Sequence, residues 1–402
     1  MQQVGRAYRQ AGVSAIYLVH GTFVGADALG ILSLLGRVYP QAQTFLGALA
    51  KSAVDFIAGE GGNYTGQFAS TLERALQSPG EPTIPVRRFN WSSQNNHLGR
   101  ADGAVRLIDE LAEASLPPKG RVLLWGHSHA GNVFSLISNL LAADRETLEA
   151  FFNAARVYYR WPVLGWIDIP LWQRVEQRLY DRLQSSSPEA KSKGAWVASA
   201  AQPPASAGAS TTSAGAWVAS GAQPPAEQPL PDAPGTFKGH PLDVVTFGTP
   251  IRYGWDSDGY ARLLHFIHHR PAKNLPKHQA PFPPTPEAVL TAADGDYVQQ
   301  CGIAGTNIMP SLFSWRSWLA DRRLNAVLQK DVNAHDLPRN LGAGRRVPDE
   351  GTTLLVDYGP ATGGLPEHVA GHAVYTRSEW LLFHAEEIAR RFYHAGSLTA
   401  VA

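Results

Sequence analysis

The sequence predicts an α/β protein with a mostly parallel central sheet covered by helices on both faces. Two observations carry that prediction. Short runs of β-branched and aromatic residues alternate with amphipathic stretches of helical period along much of the chain. Those runs are continuously apolar, which marks strands buried on both faces rather than strands with one wet side.

The elements follow in order. Ser14–His20 (SAIYLVH) is a buried strand ended by Gly21. Residues 24–57 carry two helical patterns around Pro40, and 65–77 form another helix with Phe68, Leu72 and Leu76 on one face. Thr83–Trp91 is a second strand. The helix from Gly99 to Ala114 presents Val105, Leu107, Ile108 and Leu111. Arg121–Trp125 is a third strand, followed by a helix over His129–Leu141. Later strands are expected at Leu242–Phe247, Arg262–His268 and Thr352–Asp357. A closing helix spans Ser378–Phe392, with Ser378 as N-cap and Glu379 in its first turn.

Between these lie two insertions. Residues 144–185 hold Phe151, Phe152, Tyr158, Tyr159, Trp161, Trp166, Trp172 and Tyr180, and read as two or three short amphipathic helices forming a cap-like layer. Residues 186–240 are rich in Ala, Ser, Pro and Gly, and Gly194–Pro204 (GAWVASAAQPP) recurs 21 residues later as Gly215–Pro225 (GAWVASGAQPP). Two copies do not make a solenoid, and this composition buries too little surface to offset its ordering entropy, so a flexible insertion is expected. The organisation is therefore a core in two parts, 1–143 and 241–402, the second with an irregular insertion over 270–350.

Composition narrows the function. The 402 residues carry 35 Lys+Arg against 34 Asp+Glu. A net charge of +1 gives no electrostatic footprint for nucleic acid. The single cysteine, Cys301, excludes an intrachain disulfide and a cysteine-based zinc site. The first ten residues lack the apolar core of a signal peptide, so the chain is expected to be soluble and cytoplasmic by default, with signal-less export left open.

The chemistry is concentrated at Gly126-His127-Ser128-His129-Ala130, between an expected buried strand and a helix. A serine on such a turn is lifted above the sheet edge, and the helix N-terminus puts partial positive charge where an oxyanion would form. Here the chain resembles the α/β-hydrolase family, and within it the serine lipases and esterases, whose elbow is Gly-x-Ser-x-Gly; Ala130 replaces the second glycine. Gly248-Thr249-Pro250 after a strand resembles the lipase Phe-Gly-Thr-Pro pattern. The resemblance covers roughly 14–143, 242–270 and 352–394 and does not extend to the insertions.

The resemblance implies an α/β-hydrolase fold and a Ser–Asp–His triad cleaving carboxylic esters through an acyl-enzyme, with no cofactor and no metal. Ser128 is the nucleophile. His20-Gly21 ends the strand upstream, so the oxyanion amides are Thr22, or Phe23 as second candidate, together with His129. The base is expected on a loop before the last helix: His372, with His368 as fallback; His384 falls inside the helix. The acid is Asp296, in Asp294-Gly295-Asp296-Tyr297-Val298, with Asp294, Asp256, Asp258 and Asp357 as alternatives. The aromatic insertion and the lipase likeness favour a lipid or other hydrophobic ester, met in transient contact with a lipid interface. An acyltransferase, an amide or thioester hydrolase, and a non-catalytic scaffold on the same fold are the competing readings. His265, His268 and His269 cluster in sequence, but strand alternation sends His268 and His269 to opposite faces.

Overall fold

A computed structural model of the chain describes residues 2–21, 64–160, 169–185, 234–276, 279–281, 284–303, 307, 310, 314–328, 348, 350–361 and 368–393. Thr22, Phe23, the helical patterns of 24–57 and the duplicated segments at 194–225 lie outside these residues.

The centre is a sheet of β1 (Val13–Val19), β2 (Val86–Phe89), β3 (Arg121–His127), β5 (His240–Phe247), β6 (Arg262–His268) and β7 (Thr352–Val356), with the short β4 (Thr236–Phe237) attached to β5. The order is β2-β1-β3-β5-β6-β7. Every pairing along this path is parallel, and β4 alone runs antiparallel to β5. The chain winds outward from β1 in one direction to β2 and in the other through β3 to β7. The carboxyl ends of β1 and β3 therefore flank a topological switch point, where α/β sheets leave a crevice.

Alternation along the strands builds two cores. On one face, Ala15, Tyr17, Val19, Val122, Leu124, Leu242 and Val244 pack with α3 (His97–Glu113), α4 (Ala130–Ala142), α5 (Arg145–Tyr159), α6 (Pro170–Ser185) and α9 (Trp315–Leu328). On the other, Ile16, Leu18, Leu123, Trp125, Val245, Phe247, Leu264 and Phe266 pack with α1 (Gln2–Gln10), α2 (Gly66–Leu76) and α10 (Leu381–Ile388). This is an α/β protein of three layers. β3 has neighbours on both sides and helices on both faces, and six of its seven residues are buried, hence its unbroken apolar run.

Some elements differ from expectation. α1 has no predicted counterpart; Val4, Ala7 and Tyr8 repeat at helical spacing and are buried, and the Tyr8 hydroxyl donates to Ala385 O at 3.1 Å. Among the described residues of the 270–350 stretch are three helices, α7 (Pro286–Thr291), α8 (Tyr297–Ile303) and α9. Ser378 does not cap the last helix. It opens a 3-10 turn, Ser378–Trp380, with Glu379 in it, and α10 starts at Leu381 before passing into a π turn over Ala389–Tyr393. The aromatics of α5 and α6 form a stack in the first core, Trp172 lying 5.1 Å from Tyr159 and 6.1 Å from Phe151 between centroids. Among the described residues, no helix is long and apolar enough to cross a membrane.

Candidate active site

Ser128 stands between β3 and α4 with φ of 56°. Left-handed backbone is uncommon for a residue with a side chain and is held only where the surroundings over-determine it. Here β5 supplies the restraint. The Ser128 N–H donates to Phe247 O at 2.8 Å, the Thr249 hydroxyl donates to Ser128 O at 2.8 Å, and the Gly131 N–H donates to the same oxygen at 3.1 Å. Ser128 is 0% exposed, and its Oγ has no hydrogen-bond partner among the described residues. Gly21, at the end of β1, lies against it: a Cβ there would overlap the Ser128 Cβ and stand 3.0 Å from Oγ.

The aspartate and the histidine come from distant segments. Asp296 follows β6 in space despite the intervening excursion. His269 bridges Gly295, Asp296 N–H donates to His268 O at 3.0 Å, and Arg270 N–H donates to Asp294 O at 3.2 Å. The returning chain is thus stitched to the carboxyl end of β6. His372 opens a 3-10 turn, His372–Thr376, after Gly371 at φ 86°.

The two meet: His372 Nδ1 is 2.7 Å from Asp296 Oδ2, with both side chains buried. Asp296 also accepts from the Tyr375 hydroxyl at 3.0 Å and from the Gln299 N–H at 2.8 Å. Burial and the neighbouring Asp296 charge push the Tyr375 phenol well up, so it stays protonated and able to donate. A carboxylate is acceptor-only, so the proton shared with His372 sits on Nδ1 and leaves Nε2 with its lone pair. Gly248, at φ 57°, makes room for this cluster, since a Cβ would lie 2.7 Å from Asp296 Oδ2.

His127 joins the two halves. Its Nε2 lies 3.1 Å from His372 O, and since a carbonyl only accepts, His127 carries its proton on Nε2. The two rings are 4.6 Å apart between centroids. His129, on the other side of Ser128, is held neutral: burial, then the charges of Arg100, His372 and Arg252, push its imidazole well below the usual range. Asn132 Nδ2 sits 3.1 Å from His129 Nδ1 and donates to Pro250 O.

The other candidates are engaged elsewhere. Asp294 accepts from the Tyr297 hydroxyl. Asp256 caps the 3-10 turn Ser257–Gly259, with Asp258 inside it. Asp357 is exposed and pairs with Arg270. His368 is buried. His384 is bonded to the Tyr358 hydroxyl at 2.8 Å, and burial pushes it down to about 3. His265 is 2.6 Å from Thr246 Oγ1. Among the described residues, no group of three or more His, Cys, Asp or Glu is placed to hold a metal. Tyr375, His127 and Thr249 entered the site without sequence assignment to it. Tyr375 lies one 3-10 turn after His372, and Thr249 sits in the Gly-Thr-Pro pattern, so both positions carried a signal.

The described residues define an α/β protein whose sheet ends in a strained serine turn beside a carboxylate-bonded histidine. No family model matches the chain, and no curated protein or solved structure does either.

Proposed function

We propose that this chain is a serine hydrolase of α/β-hydrolase type that cleaves carboxylic esters, with hydrophobic or lipid-like esters as substrates. The observation that carries the reading is the Asp296–His372 hydrogen bond, borne on a turn that His127, the neighbour of Ser128, bonds to. A serine hydroxyl is a weak nucleophile until a base takes its proton, and a base on an oriented, buried carboxylate is suited to do so.

In this reading His372 Nε2 accepts the Ser128 proton as Oγ attacks the ester carbonyl. The imidazolium is stabilised by Asp296, which Tyr375 and the Gln299 amide hold in place. The tetrahedral oxyanion faces the start of α4, where the His129 amide is one donor and Thr22 or Phe23 the other. Proton return from His372 to the leaving alcohol gives the acyl-enzyme, and water releases the acid by the same path. Burial of Ser128, Asp296 and His372 raises the worth of each electrostatic contact.

The test is a fluorophosphonate probe with the purified chain. Covalent labelling that disappears in Ser128→Ala supports the reading, and absence of labelling in the wild type overturns it. A p-nitrophenyl ester series of rising acyl length then reads the acyl preference; decline beyond short chains removes the lipid-like substrate.

A further inference from the structure

The segment His368-Val369-Ala370-Gly371-His372 holds a single glycine, yet three successive residues in it have positive φ: 45° at Val369, 53° at Ala370 and 86° at Gly371. Left-handed backbone suits glycine, is adopted by other residues mostly one at a time, and is an outlier for a β-branched side chain. Such a run persists only where its surroundings over-determine it. Val369 and Ala370 are buried, so protein supplies the restraint.

Hydrogen bonds hold the carbonyls of the turn. The Tyr297 N–H donates to Ala370 O at 3.1 Å, His268 Nδ1 lies 3.3 Å from Gly371 O, and His127 Nε2 lies 3.1 Å from His372 O. Inside the turn, the His372 N–H donates to Val369 O at 3.0 Å. Gly371 passes so close to the loop of the acid that a Cβ on it would run into Gly295 O. Apolar side chains brace the same turn from α7 and α8. Ala370 packs with Val289 and Tyr297, Val369 packs with Ala373, and Val298 of α8 packs against both groups. Asp296 directly precedes α8, and its carboxylate accepts the Gln299 N–H from the first turn of that helix. The segment that delivers the acid therefore also supports the turn that delivers the base.

We propose that Val298 is a positioning residue for His372. By packing against both groups it holds residues 369–371 in left-handed backbone and so keeps the imidazole on Asp296. Without that support the turn relaxes toward the backbone that valine and alanine prefer, and His372 leaves the carboxylate. The proposal rests on His372 being the base of the hydrolase.

The experiment pairs a substitution that loosens the support with one that removes the strain. Val298→Ala should lower kcat about tenfold to hundredfold on an ester that the wild type cleaves, with KM little changed, because displacing a catalytic group by about 1 Å is enough for such a loss. Val369→Gly added to Val298→Ala frees position 369 of the steric cost of positive φ and should recover much of the lost kcat. A role in packing alone predicts the reverse, since a second truncation enlarges the void and adds to the damage. If Val298→Ala does not fold, Val298→Thr, of nearly the same shape, carries the comparison. Wild-type kcat in the single variant, or a double variant no more active than the single one, overturns the proposal.

A second readout does not need catalysis. An imidazole N–H bonded to a buried carboxylate gives a far-downfield proton NMR resonance, assigned here by its absence in His372→Ala. It should broaden or disappear in Val298→Ala and return in the double variant. If the wild type cleaves no ester and Ser128 is not labelled, the hydrolase reading fails, while this pattern still shows that Val298 positions the imidazole. A wild type without the resonance, or a resonance unchanged in Val298→Ala, overturns the positioning role.

Discussion

His127 Nε2 lies 3.1 Å from the main-chain oxygen of His372, a residue 245 positions further along the chain. One end of this hydrogen bond is the last residue of β3, immediately before Ser128; the other is the turn that presents the imidazole bonded to Asp296. Both ends are buried, so the bond is not exchanged for water. The proposed nucleophile and base are thereby coupled through backbone rather than through two independent loops.

His127→Phe keeps an aromatic ring and removes this donor. Leaving a buried carbonyl without it costs about 1–3 kcal/mol, so the expected loss in kcat is about tenfold to hundredfold, with KM little changed. Steady-state kinetics against an ester that labels Ser128 checks this. An unchanged kcat would mean that the His372 turn holds its position without His127.

Asp296→Asn should cost far more than Tyr375→Phe. An amide at 296 can present its NH2 to His372 and favour the wrong tautomer, for which a kcat loss of about 10⁴-fold is the precedent in this chemistry. Tyr375→Phe removes one of the donors to the carboxylate and leaves the Gln299 amide and His372, so about tenfold is expected. A pre-steady-state burst with an activated ester locates the effect on acylation. Equal losses for the two variants would contradict the ranking.

Gly248→Ala places a methyl group 2.7 Å from Asp296 Oδ2 on backbone at φ 57°. The clash falls first on the Tyr375 ring and next on the carboxylate that Tyr375 and His372 both bond, so it disturbs the group that orients His372. Activity should fall to the level of the Asp296 variant while the far-UV circular dichroism spectrum is retained. Gly21→Ala drives its methyl into Ser128 Cβ instead, so its expected signature is lost fluorophosphonate labelling.

Stability should decline on acidification below about pH 6.5. Burial holds His265 down to about 4 and His384 down to about 3, against an ordinary histidine value of 6.5. The unfolded chain binds protons at these positions before the folded chain does. Stability is therefore fully present above the unfolded value and is lost as pH falls toward the folded values, at roughly 1.4 kcal/mol per pH unit for each group. Urea titrations from pH 7.5 to 4.5 read the slope, and His384→Phe should flatten it. A slope unaffected by that substitution would place the acid sensitivity elsewhere.

The central strands β3, β5 and β6 were legible because burial on both faces writes itself into composition. Arg121–His127 and Arg262–His268 are apolar runs that any local reading finds. The capping of α10 was not legible: Ser378 suits an N-cap by type, but the chain makes a 3-10 turn first, and nothing in the local pattern separates the two. α1 was missed because its three buried apolar side chains, Val4, Ala7 and Tyr8, sit among Gln, Arg and Gly, and packing against α2 and α10 holds it rather than propensity. α9 was hidden in a Pro- and Gly-rich stretch and draws its stability from Ala320, Leu324 and Leu328 in the first core.

For the candidate site, the sequence by itself determined the serine turn, since strand, small residues and helix are contiguous and their geometry is local. It also nominated His372 and Asp296 by type and chain order. Tertiary structure alone decided which aspartate bonds the imidazole. Asp296 reaches His372 because Gly295 and Asp296 are stitched to His269 and His268 at the end of β6, which cancels the separation created by the excursion between them. Loop closure depends weakly on the length of chain enclosed and strongly on the contacts that end it, and those contacts have no signature in the residues that make them.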